Sequence, residues 1–444
     1  MLNTRDKFKI MTLKHYLSTV LALLIFTLGE SQINTIQINA TTQHSGGFMR
    51  IEYANGGTVL RKPLIVIEGF DAGNILKPEL QYGLSSIEDF IIDVKNDDAV
   101  VNGVLVQSPL HKLLDGNLQE YDIVYVDYAN GTDWIQRNVS LVEDVIQRVN
   151  TMKLNAGSNQ PNVVLGISMG GLCARYALRD MENNGQDHQT RLYISWDSPH
   201  QGANVPEGYQ RLVRHVRDLY ISTAASTGGV ANLFVPAFTN VNPRKLLNIA
   251  DEPASKQMLI NRVGTLNTID NSTHDSWQTE LKNLGYPQGF AGGFPFRRIA
   301  VSNGSECAKP QDFNPGDNLL SLQGNASNLG LLSEVVSSIT LPTVGTILNQ
   351  PMIVLLGPLP GRNKFNLDFA VNSKAFNTGN QVYKGKITYQ KNILGIIPVM
   401  VVLTNRSFNA NASTLPYDYY PGGNINIGDH GFNFQSSTAP NWVG

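Results

Sequence analysis

Ser168 stands at the centre of Gly166-Ile-Ser-Met-Gly170, and a serine spaced in this way between two glycines can act as the nucleophile of an acyl transfer. A serine hydroxyl is a weak nucleophile near neutral pH, so the chemistry needs a base within hydrogen-bond reach and a carboxylate to orient that base. His430, in Gly-Asp-His-Gly-Phe, lies far downstream in a loop-like setting with Pro421, Gly422, Gly423, Gly428 and Gly431 around it, from which an imidazole can project. His200 is the alternative base, close behind the apolar run that ends at Trp196. His274 could take part only if the segment carrying it folds over the site. Asp197 ends the same apolar run, 29 residues beyond Ser168, and is the leading candidate for the acid. Glu306, Asp312 and Asp317 follow the next apolar run and are alternatives. The negative charge that builds on an attacked carbonyl oxygen needs donors. The backbone N–H groups of Met169, at a helix start, and of Phe70, just beyond Leu64-Ile-Val-Ile-Glu-Gly69, are placed to supply them, with Asp71 and Asn74 near the Phe70 loop.

These groups must be held by strands and helices. Val163 to Leu165 reads as a short buried strand, and Leu172 to Met181 carries apolar residues at three- and four-residue spacing, so Ser168 falls at a strand-to-helix turn, a nucleophile elbow. Phe48 to Tyr53, Leu64 to Ile67, Ile123 to Val126 and Arg191 to Trp196 read as further strands, and Trp134 to Val149 as a helix. Strands separated by helices of this length predict a mostly parallel sheet with right-handed crossovers, and catalytic groups beyond the carboxyl ends of its strands. The fold class is therefore α/β. Residues 205–292 read as a helical insertion, either a lid or a rigid packing unit, with pieces at Tyr209 to Leu219, Ala254 to Ile260 and Trp277 to Leu284. Phe296 to Val301 returns to a core-strand pattern. Phe365 to Val371, Gln381 to Gln390 and Val399 to Leu403 predict a downstream, antiparallel β-rich region. The expected division is a signal peptide over 1–31, a core over 32–340, a β-rich unit over 341–410 and a terminal part of the core over 411–444.

The signal is expected because Arg5, Lys7, Lys9 and Lys14 precede the apolar run Leu17 to Leu28, with the small residues Gly29 and Ser31 behind it. Export follows, to a secreted, periplasmic or cell-surface location, and no later stretch is long and apolar enough for a membrane span. A net charge of −2 with scattered Lys and Arg gives no case for nucleic acid. The eight histidines are dispersed and form no metal-ligand pair, and no glycine-rich phosphate or dinucleotide loop stands out, so neither metal nor cofactor is expected. Two cysteines, Cys173 and Cys307, exclude a disulfide framework but allow a single bridge; Cys173 alternatively packs as a small apolar residue in the elbow helix.

At Ile67-Glu-Gly-Phe-Asp71, Gly166-Ile-Ser-Met-Gly-Gly171 and Asp197-Ser-Pro-His-Gln-Gly202 the chain resembles the α/β-hydrolase superfamily, in particular secreted bacterial lipase-like and esterase-like serine hydrolases. The resemblance covers about 60–305. Ser198 replaces the threonine of the family's Thr-Pro-His-x-Gly segment, and Glu68 stands where a histidine commonly precedes the glycine. The resemblance implies an α/β-hydrolase sheet, Ser168 as nucleophile, Phe70 and Met169 as oxyanion donors, and a small-molecule or lipid ester as substrate. Apolar residues such as Leu233-Phe234-Val235-Pro236 suit an acyl chain and equally suit core packing. An amidase or peptidase on the same residues, and an extracellular binding protein descended from a hydrolase, are the competing expectations. The sequence is silent on oligomeric state.

Overall fold

The structure is a computed structural model that describes residues 33–72, parts of 86–106, 120–227, 248–302, 314–325 without 315, and 361–410 apart from 376–378 and 394–396. Thirteen strands fall within them. β1 (Asn34–Ile38), β2 (Gly47–Glu52), β3 (Pro63–Ile67), β6 (Asp122–Tyr128), β7 (Asn162–Ile167), β8 (Thr190–Trp196) and β9 (Arg297–Val301) form one sheet in the order β1-β2-β6-β3-β7-β8-β9. β4 (Ala99–Val101) and β5 (Val104–Val106) form a small separate ladder. β6, β3, β7, β8 and β9 run parallel, while β1 and β2 add an antiparallel edge.

The continuous apolar runs of β3, β6 and β7 follow from burial on both sides, since alternate residues of a strand serve opposite faces. Ile65, Ile67, Val124, Val126 and Val164 belong to the core on one face. Leu64, Val66, Ile123, Tyr125, Val163 and Leu165 belong to the core on the other. The first face is covered by α1 (Ile135–Asn155) and α2 (Met169–Asn183), which bury Val139, Val142, Val145, Ile146 and Val149, and Leu172, Cys173, Ala177 and Leu178. Those spacings make one apolar stripe on each helix. Each fully buried Val or Leu contributes about 1.5 to 3 kcal/mol, so packing rather than capping holds α1, whose start lacks a side-chain cap.

The helical insertion is present as α3 (Glu207–Thr227), α4 (Pro253–Met258) and α5 (Ser272–Leu284). Arg175 of α2 donates to the Leu281 and Gly285 carbonyls at 2.7 and 2.9 Å, meeting the carbonyl end of α5, and lies 3.7 Å over the Tyr286 ring. α3 packs instead on a second sheet, four antiparallel strands in chain order: β10 (Asn318–Asn325), β11 (Gly361–Asn372), β12 (Gln381–Ile393) and β13 (Ile397–Asn409). Tyr209 and Leu212 of α3 meet Phe369, Val371, Tyr383 and Ile387 there. His215 spans the joint, with Nδ1 2.7 Å from Tyr383 Oη and Nε2 2.8 Å from Thr404 Oγ1.

Two expectations change in detail. The β-rich unit takes its first strand from Asn318–Asn325, inside the stretch assigned to the core. Phe296 to Val301 reads as a core strand; β9 does join the large sheet beside β8, but it is exposed along its length. Cys173 packs as a buried residue of α2, as expected of a small apolar side chain there, and its free thiol is pushed up to about 12 by burial. No helix among the described residues is long and apolar enough to cross a membrane. The segments 1–32 and 411–444, and with them the expected signal, lie outside the described residues.

Candidate active site

The order of the large sheet sets the site. The chain steps from β3 to β6 on one side and then crosses back to β7 on the other, so a crevice opens beyond the carboxyl ends of β3 and β7. Ser168 lies at that point, between β7 and α2. Its backbone has φ 52° and ψ −121°, a left-handed conformation that a non-glycine residue adopts only when its surroundings enforce it. Close backbone packing supplies the enforcement. A Cβ on Gly166 would meet Gly170 O and Gly171 Cα at 2.5 Å each, and a Cβ on Gly170 would run into the carbonyl oxygens of Ile67 and Glu68. Ser168 N–H donates to Trp196 O at 2.9 Å, and Tyr193 Oη donates to Gly171 O at 2.6 Å, so β8 pins both sides of the turn.

Met169 is the first residue of α2, and the first N–H groups of a helix have no acceptor within the helix. Its side chain is buried in the core. Gly69 comes up against the serine from β3: a Cβ there would lie 3.1 Å from Ser168 Cβ and 3.7 Å from its Oγ. The Gly69-Phe70 loop therefore borders the hydroxyl, with the Phe70 ring packed on the core. A helix start and an incoming loop flanking one serine is the arrangement from which an oxyanion hole is built.

The other candidates fall in different places. Asp197 follows β8 at the same edge of the sheet; it is exposed, has φ 45°, and its N–H donates to Val301 O at 2.6 Å. His200 is turned onto β8, with Nε2 2.7 Å from Ser195 Oγ. Burial, and then repulsion from Arg175, pushes His200 down to about 4. His274 is held at 2.8 Å by the Gln257 carbonyl. Asp317 immediately precedes β10, where its carboxylate accepts from Asn314 N–H at 2.7 Å and from Asn314 Nδ2 at 3.0 Å, which makes it the anchor of a turn. His430, Glu306, Asp312 and Asn74 lie outside the described residues. Among the described residues no group of three or more His, Cys, Asp or Glu could hold a metal ion.

The sequence did not mark the carboxyl cluster behind the loop. Glu68, Asp71 and Asp127 are all buried. Glu68 accepts a hydrogen bond from Tyr128 N–H through Oε1, while its buried Oε2 has no partner among the described residues. Burial, repulsion from Asp127 and more weakly from Asp71 push the Glu68 carboxyl well above the usual range, outweighing the Tyr128 N–H, so its neutral form is favoured. The signal lay in position: Glu68 follows β3, Asp127 ends the apolar run inside β6, and the two strands are parallel neighbours.

No protein-family model matches the chain, and no curated protein does. Solved structures do match in part. An esterase from the archaeon Pyrobaculum calidifontis is 14% identical, covers 66% of this chain and 83% of its own, with a TM-score of 0.30. EstE1, a thermostable carboxylesterase cloned from a metagenomic library, is 14% identical over 64% of this chain and 84% of its own, with a TM-score of 0.28. Est1E from Butyrivibrio proteoclasticus is 13% identical over 37% of this chain, with a TM-score of 0.25, and this chain spans 51% of Est1E. In its own right the chain has an α/β architecture: a mostly parallel sheet with a strained serine at its switch point, and a separate antiparallel sheet.

Proposed function

We propose that the protein is an exported serine carboxylic-ester hydrolase acting on lipid or other acyl esters. The observation that carries this reading is the strained Ser168, set at the crevice between β3 and β7 with the Gly69-Phe70 loop against it. In the proposed reaction Ser168 Oγ attacks the acyl carbonyl and gives its proton to His430. The Phe70 and Met169 N–H groups receive the charge that develops on the carbonyl oxygen. Asp197 orients the imidazole. His430 then protonates the departing alcohol, and a water activated by the same group releases the acid.

Labelling of the purified protein with a fluorophosphonate tests this directly. The expected result is covalent labelling of the natural protein, none of Ser168→Ala, and strongly slowed labelling of His430→Ala. Undiminished labelling of Ser168→Ala would place the reactive group elsewhere. Hydrolysis of esters of graded acyl length then reads the substrate class.

A further inference from the structure

Residues 361–410 hold seven Lys and Arg against a single acid, Asp368, in a chain whose net charge is −2. This excess is concentrated in β11–β13 and the turns between them. Residues paired across strands share a face, and every second residue returns to it. Lys364 pairs with Gln390, which pairs with Met400. Ala370 pairs with Lys384, Asp368 with Lys386, and Thr388 with Val402. Lys364, Asp368, Lys384, Lys386, Met400 and Val402 therefore occupy one face, three lysines against one acid. The opposite face carries Phe369, Val371, Tyr383 and Ile387 and is covered by α3.

On the face away from α3, Met400 is 63% and Val402 42% exposed. Both belong to β13, an edge strand of the described sheet. Edge strands normally carry charge or proline against unwanted pairing, yet Ile397 to Leu403 is apolar throughout, with Pro398 near its start. Among the described residues only Lys384 of the three lysines has an acidic partner, Asp368 at 3.1 Å. The face thus joins a cationic patch on β11 and β12 to an exposed apolar strip on β13.

We propose that this face docks on an anionic lipid surface. Lysines meet the phosphates of acidic lipids, while Met400 and Val402 enter the boundary between headgroups and acyl chains, the division of labour of an interfacial element. The complementarity of charge selects an acidic surface over a zwitterionic one. The exposed apolar strip selects a lipid over a nucleic acid, whose backbone offers nothing for it to bury. This inference goes beyond the proposed hydrolysis and does not depend on Ser168.

The test is co-sedimentation of full-length Ser168→Ala protein, which binds without turnover, with phosphatidylcholine vesicles and with vesicles containing phosphatidylglycerol, at low and high salt. Binding is expected to be confined largely to the phosphatidylglycerol vesicles and to fall with salt. The double change Lys364→Glu with Lys386→Glu should weaken it by about tenfold or more, and Met400→Asn should weaken it at both salt levels. The milder Lys364→Gln with Lys386→Gln serves if charge reversal unfolds the sheet, and an unchanged thermal melt identifies folded material. Equal binding to both vesicle types, or binding unaffected by the lysine changes in folded protein, overturns the proposal. So does tighter capture by a soluble polyanion such as heparin than by the acidic vesicles. Fluorophosphonate labelling of the same lysine variants in the Ser168 background reads the esterase proposal separately and should not change.

Discussion

His200 Nε2 lies 2.7 Å from Ser195 Oγ, which ties this histidine into β8. Replacing it with glutamine should cost stability of about 1 kcal/mol through the lost hydrogen bond, read by urea unfolding. Fluorophosphonate labelling of Ser168 should persist in His200→Gln. Its disappearance in folded protein would make His200 the base.

The pH dependence of labelling separates the two histidines independently. A base works deprotonated, so the rate falls as pH drops through its pKa. His200, lowered by burial and then by Arg175, would put that fall near about 4. A fall near the ordinary imidazole value of about 6.5 would assign the role to a different histidine. We expect the higher value.

Gly170 has no room for a side chain, since a Cβ would meet the carbonyl oxygens of Ile67 and Glu68. Both are backbone atoms that cannot swing aside. Gly170→Ala should therefore destabilise the protein by about 1 to 3 kcal/mol. It should also slow labelling by pushing α2 away from the Gly69-Phe70 loop. A variant as stable and as reactive as the natural protein would contradict the close packing described for the elbow.

Glu143 on α1 is pushed up to about 8 by burial, by the charge of Asp180 and by a hydrogen bond with it. A carboxyl with a raised folded-state pKa binds its proton more tightly when folded. Its contribution is full below the ordinary value of 4.5 and is lost as pH rises from there through about 8. Glu143→Gln keeps a donor for Asp180 without the charge. It should raise stability above pH ~8 by about 1 to 2 kcal/mol, a range that allows for Glu143 being only partly buried. The gain should vanish in acid, and thermal melts across pH measure it.

What the sequence made legible was local. The elbow could be read because its strand, its glycines and its helix are contiguous, and β3, β6 and β8 were marked by apolar runs bounded by turn residues. The neighbourhood of His200 could not be read in this way, because its partner Ser195 lies inside a strand that looks uniformly apolar at its core. The Glu68, Asp71 and Asp127 cluster was hidden for a different reason: Asp127 is 56 residues beyond Asp71 and is brought beside the Glu68–Asp71 loop only by the parallel pairing of β3 with β6. β10 was missed because Leu319-Leu320-Ser321-Leu322 is short and declares its sheet only through β11.

The state of Glu68 matters beyond its own burial. The amino end of α2 carries the positive end of the helix dipole to the crevice, where a transferring acyl group would gather negative charge on oxygen. A carboxylate anion lodged beneath Gly69 would set an opposing field across a gap with little water to screen it. Burial and repulsion from Asp127 favour the neutral form of Glu68, so this carboxyl, joined directly to Gly69, adds no such opposing charge at the helix end.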